Sequence, residues 1–192
     1  MINFIISFLH IMIMGVFISF YAFVIPKNFL YDFLYIIFVI LVLFSWILYD
    51  NQCAISYYYN KLNNIKVTNE TSDISEMIDP NSFFGKFSFV FTTITTIISI
   101  YIASIRSNIA NVYVTILLLV NRYMYLFYNN AIGYNFKSVC SFFIGKKYNY
   151  FNNLYKKSKI DSIINPYFNK IIFSVNLFIF IYIILKNKKR LF

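Results

Sequence analysis

The 192-residue chain is 60% hydrophobic and 22% aromatic, with only 12% charged residues and a formal net charge of +10. A soluble domain carries about 25% charged residues, so this balance excludes a globular surface solvated by water alone and predicts an all-α, polytopic transmembrane bundle. No polar stretch is long enough to bury a core of its own, which argues against a separate soluble domain.

Residues 1–59 are predicted to form a transmembrane hairpin. The apolar run 2–25 corresponds to about 36 Å of helix, enough to cross a ~30 Å hydrocarbon core with some tilt. It has no Lys or Arg before it and no small-x-small cleavage site after it, so it is expected to be retained rather than removed as a signal peptide. Pro26 stops the run, because it lacks an N–H and disfavours helix in the preceding residue. Lys27 and Asn28 then make a turn so short that the run 29–49 must return antiparallel. Asp32 lies near the start of this second run and Asp50 just past its end, while Trp46 and Tyr49 suit the aromatic belt of a membrane–water interface. No Gly or Pro intervenes between Trp46 and Tyr57, which predicts one continuous helix leaving the membrane. Its face with Trp46, Tyr49, Cys53, Ser56 and Tyr57 is expected to point at the first or third helix.

Residues 60–86 form a polar loop carrying Glu70, Asp73, Glu76 and Asp79. Asn69-Glu70-Thr71 has the form of a glycosylation sequon, a pattern that arises by chance in an Asn-rich chain. Residues 87–128 are predicted to form a second transmembrane hairpin, with runs 87–105 and 109–128 joined at Arg106-Ser107-Asn108. Ser88, Thr92, Thr95, Ser99 and Ala103 share one face of the third helix, and Asn111, Thr115 and Arg122 share one face of the fourth. Small and hydroxyl side chains permit close approach, so these two faces are expected to pack together.

Residues 129–170 are basic and aromatic: Lys146, Lys147, Lys156, Lys157 and Lys159 alternate with Tyr148, Tyr150, Phe151 and Tyr155. The pattern suits a segment lying on the bilayer, with rings in the headgroup zone and lysines on anionic lipid, or a basic loop without order. Residues 171–192 hold a last apolar run, 171–185, and a basic tail; the run spans if Lys170 and Lys186 snorkel and re-enters otherwise. With five crossings, ten Lys fall on the side of residues 60–82 and 129–170 and six Lys or Arg on the other, which places the N-terminus in the cytoplasm. With four crossings the tally becomes fourteen against two. Hydrophobicity favours five.

The lysine runs accompany no nucleic-acid-binding motif, so anionic lipid headgroups are the expected partner and nucleic acid is not. His10, the one histidine, lies mid-run, where an ionisable residue is a functional candidate by default; haem ligation or proton relay stand against a neutral imidazole hydrogen-bonded to a neighbouring helix, which is preferred. Cys53 and Cys140 lack zinc-site spacing. No nucleophile elbow, P-loop, Gly-rich dinucleotide turn or HExxH sequence is present, and Asp50 with Cys53 lacks a base to activate the thiol. No catalytic residue, metal or cofactor is therefore expected. The candidate functional or packing positions are His10, Trp46, Asp50, Cys53 and Arg122.

His10 in the first helix, the Pro26-Lys27-Asn28 turn, and Trp46-x-x-x-Asp50-x-x-Cys53-x-Ile55-Ser56-Tyr57 closing the second helix form a pattern that resembles small multi-pass membrane proteins of giant DNA viruses. In that pattern an acidic residue often directly precedes the Cys; here Gln52 stands there and Asp50 is two residues further back. The resemblance covers about a third of the chain, implies a viral or virus-like membrane protein, and carries over no catalytic residue. The expected function is a structural or interaction component of a viral envelope or host internal membrane, with an oligomeric channel or transporter as the alternative and a membrane enzyme or haem carrier as a remote one.

Overall fold

A computed structural model describes residues 2–49, 54–63, 82–128 and 161–191. Regular structure among these residues is helical, with no strand. The first span runs through α1 (Ile2–His10), a π-helical segment (Ile11–Phe17) and α2 (Ile18–Val24). Then come α3 (Phe29–Leu48), α4 (Ala54–Leu62), α5 (Phe83–Arg106), α6 (Val112–Tyr128) and α7 (Asp161–Leu191). Among the described residues, four segments are long and apolar enough to cross a membrane: Phe4–Val24, Phe29–Leu48, Phe83–Arg106 and Tyr167–Leu191.

Local chemistry sets most of the helix ends. Asn28 is extended and its side-chain oxygen accepts from the Tyr31 N–H, so it caps α3. Ser82 caps α5 through the Gly85 N–H, and Asn111 caps α6 through the Val114 N–H. At the end of α5, Asn108 takes φ 52°. Its N–H returns to the Ile105 carbonyl and that of Ile109 to Ser104, the paired bonds of a Schellman turn, with Asn tolerating the left-handed residue. Ile109 is fully buried beneath the turn.

Cross-helix contacts fix the helix directions. Ser19 meets Thr92 and Thr96, and the Ala22 carbonyl accepts from Arg106, so α2 runs parallel to α5. Asn121 bonds the Ile172 carbonyl and Asn187 bonds that of Ile109, so α7 runs antiparallel to α6. Arg190 lies over Phe29 while Phe173 packs on Phe44, so α7 is antiparallel to α3 too. The Pro26 turn, the α5–α6 turn and the end of α7 therefore share one end of the bundle, here called the turn end. Residues of α1 and α4 and the start of α5 lie at the other. The core between them is lined by Ile18, Tyr35, Ile36, Ile100, Leu118 and Ile179, among others.

Several sequence expectations are corrected. The helix through Trp46 ends at Leu48; Tyr49 leaves helical geometry at φ −112°, ψ 43°. The chain resumes as α4, whose Ser56, Tyr59 and Asn60 are buried, with Ser56 against His10 of the first span. The predicted polar loop 60–86 is helical at both edges, because Asn60–Leu62 completes α4 and α5 begins at Phe83. On the α5 stripe, Ser99 bonds α2 rather than α6. Ser99 donates to the Ser19 carbonyl and receives the Ala22 N–H, making α2 its neighbour, because α2 offers small side chains that let the backbones close. On the face shared by Asn111, Thr115 and Arg122, Asn111 bonds Tyr182 of α7 and Arg122 lies over Trp46 of α3.

The last helix is also longer than its apolar run. It spans 31 residues and traverses the bundle from Ile172, packed on Leu43, to Arg190 over Phe29. Its polar end continues as helix because Asn187 is buried against the Ile109 carbonyl and Lys186 donates to Asn108. By contrast α6, 17 residues long, extends about 26 Å, shorter than the run 109–128 predicted. Residues 64–81 and 129–160, which hold the acidic loop, Asn69, Cys140 and most of the basic segment, lie outside the described residues.

This arrangement makes a topological prediction. In a chain with Cys53 and Cys140 replaced by Ser, Lys61→Cys and Lys188→Cys should react with an impermeant maleimide from opposite faces of sealed vesicles. Labelling of both from one face would show that α7 does not cross.

Candidate functional site: a buried carboxylate junction

Asp32 sits one turn into α3 and is completely buried. An ionised carboxylate in such a place requires a cation and hydrogen-bond donors. Arg106, the last residue of α5, supplies a two-pronged pair: Nε to Oδ2 at 2.9 Å and Nη2 to Oδ1 at 2.6 Å. The Tyr21 hydroxyl of α2 donates to Oδ1 at 2.9 Å, and the Ser107 hydroxyl donates to Oδ2. The third arm of the guanidinium, Nη1, bonds the Ala22 carbonyl at 3.1 Å. Three helices thus meet on one carboxylate.

Aromatic rings extend the junction into the core. Tyr21 stacks on Tyr35 with centroids 4.0 Å apart and rings 6° from parallel. The Tyr35 hydroxyl donates to the Ile18 carbonyl at 2.7 Å. The Arg106 guanidinium also lies 5.8 Å from the Tyr21 ring centroid, a favourable place for a cation. All the charged and hydroxyl groups here have partners, so the arrangement positions helices and leaves no unpaired base or nucleophile for chemistry.

The residues singled out from the sequence do not converge on this point. Trp46 and Arg122 do meet each other, with the guanidinium 4.6 Å from the Trp46 ring centroid. Arg122 is buried, and among the described residues its Nε and Nη1 find no hydrogen-bond partner; Trp46 is half-buried against it. His10 is buried separately, with Nδ1 3.4 Å from the Ser56 hydroxyl of α4. Asp50 and Cys53 lie outside the described residues. Among the described residues, no three His, Cys, Asp or Glu side chains group to hold a metal ion.

Sequence reasoning placed Asp32 and Arg106 on one side of the bilayer without pairing them. A signal was present: an acid inside an apolar run calls for a cation, and Arg106 closes the next span on that same side. No family model, curated protein or solved structure matches the chain.

Substitutions at Asp32, Arg106 and Arg122 test these contacts. Asp32→Asn keeps the shape but leaves Arg106 without its counter-charge, and should destabilise the protein in detergent by about 3–5 kcal/mol. The double variant with Arg106→Gln should lose less than the two single losses added together, since the residues act as one pair. Arg122→Met should unfold no earlier than the wild type, because an apolar side chain replaces a buried charge whose Nε and Nη1 have no hydrogen-bond partner among the described residues. A clear drop in its melting temperature would mean that the Trp46 contact outweighs the cost of burial.

Proposed function

We propose that the chain is a structural or interaction component of a membrane, a viral envelope or a host internal membrane. The viral assignment rests on the resemblance of the first hairpin. The observation that carries the functional reading is the use made of the intramembrane polar groups. Ser99, Asn121, Asn176 and Asn187 donate to carbonyls of Ser19, Ile172, Ile40 and Ile109 on neighbouring segments. In lipid, packing and such bonds hold helices together, since burial against apolar tails gives no hydrophobic gain. Of the hydroxyl stripe that would line an oligomeric pore, Ser99 is engaged by α2 in the same chain and the Thr95 hydroxyl bonds carbonyls of its own helix. The end carrying α4 faces the cytoplasm in this reading, because the lysine-rich segments 137–170 join the helices there, and anionic headgroups are the partners of those lysines.

Reconstitution into sealed vesicles tests this. The protein should float with the lipid and resist extraction at alkaline pH, while leaving efflux of trapped ions and small dyes at the rate of empty vesicles. Efflux that rises with protein density would favour a channel assembled from several copies.

A further inference from the structure

The turn end holds Lys27, Arg106, Lys186, Lys188, Lys189 and Arg190, and Asp32 is the only acid there among the described residues. Because Asp32 is sealed and matched to Arg106, it offers nothing to the other cations. Between the two turns and the end of α7 lies an open recess of about 460 Å³, lined by Lys27, Phe29, Arg106, Ser107, Asn108 and Arg190.

Fixed partners position much of this lining. Arg190 stacks over the Phe29 ring, 3.8 Å from its centroid, and its Nη1 donates to the Ser107 carbonyl at 2.8 Å. That contact uses one N–H of the five a guanidinium carries, and the residue stays exposed. The same Ser107 is anchored through its hydroxyl to Asp32. Lys186 donates to both the backbone and side-chain oxygens of Asn108, each at 3.0 Å, so these acceptors are already engaged. Exposed Lys27 also lines the recess. The recess thus presents oriented N–H donors and excess positive charge at the level where the spans end.

We propose that this recess binds one phosphate group, presented by an anionic lipid headgroup or by a soluble phosphate, with Arg190 and Lys27 as its direct contacts. A guanidinium fork matches phosphate oxygens, and a lysine adds a point charge. Arg106 adds field from below while its donors stay on Asp32 and Ala22. The site rests on the reading of the chain as a membrane component, which vesicle flotation tests separately.

The experiment is native mass spectrometry of the purified full chain in detergent. The probes are dioleoyl phosphatidic acid, dioleoylglycerol as the same lipid without phosphate, and excess inorganic phosphate as competitor. Phosphatidic acid should be retained and dioleoylglycerol should not. Lys27→Gln with Arg190→Gln should weaken retention at least about tenfold. Lys188→Gln with Lys189→Gln, which removes equal charge from the same end, should change it by less than about twofold, as expected of exposed, solvent-screened charges. Displacement by inorganic phosphate would assign a site open to soluble phosphate; retention in its presence would assign the lipid. Equal losses in the two double variants would overturn the site and leave only the general charge of the surface. Phenylglyoxal modification of Arg190 in the wild-type chain keeps the proposal testable if a variant fails to fold: phosphatidic acid should slow it, and an unchanged rate would overturn the site.

Discussion

The bundle depends on a carboxylate that cannot reach water. Asp32 lies in a helix that would otherwise be apolar throughout its first turns, and a lone ionised group there would cost several kcal/mol. Arg106, Tyr21 and Ser107 remove that cost only if α2, α3 and the end of α5 converge. Two hairpins that are separate in sequence are therefore joined by an electrostatic requirement that a lipid environment makes stricter than water would.

The same logic extends to the rest of the interior. Helix association gains little from hiding apolar surface in lipid, so close packing and hydrogen bonds decide which faces meet. The α2–α5 contact is the most extensive in the bundle. It forms where Ser19 and Ala22 oppose Thr92, Thr96 and Ser99. On α7, Asn176 and Asn187 stand 11 residues apart, about three turns, and each bonds a carbonyl of another segment. These contacts draw the final helix along the full bundle and bring its basic end over the α5–α6 turn. The phosphate recess is a consequence of that closure.

His10 and Arg122 show two ways of accommodating an ionisable group inside the bundle. His10 sits beside a hydroxyl brought by α4, immediately before a π-helical stretch in its own span. Arg122 instead lies over an aromatic face, where the ring quadrupole attracts it without accepting conventional hydrogen bonds. Neither arrangement resembles a reactive constellation, and each joins helices distant in sequence.

Class, helix content and the approximate spans were legible because hydrophobic length and the scarcity of charge act locally along the chain. The turn at Arg106–Asn108 was legible for the same reason. Its polar residues interrupt two apolar runs, and α5 ends at Arg106. The start of α6 was less so, because Ile109 and Ala110 are apolar yet serve as buried turn residues ahead of the Asn111 cap. The extent of α7 was hidden because polar residues such as Asn187 continue a helix when another segment supplies their partners. The end of α3 was hidden because no breaker residue marks Tyr49. By itself the sequence determined a helical membrane protein with basic connections. Only the tertiary structure decided that Asp32 pairs with Arg106, that α2 takes the hydroxyl face of α5, and that Arg190 lies over Phe29, because each choice depends on which distant surface satisfies a buried polar group.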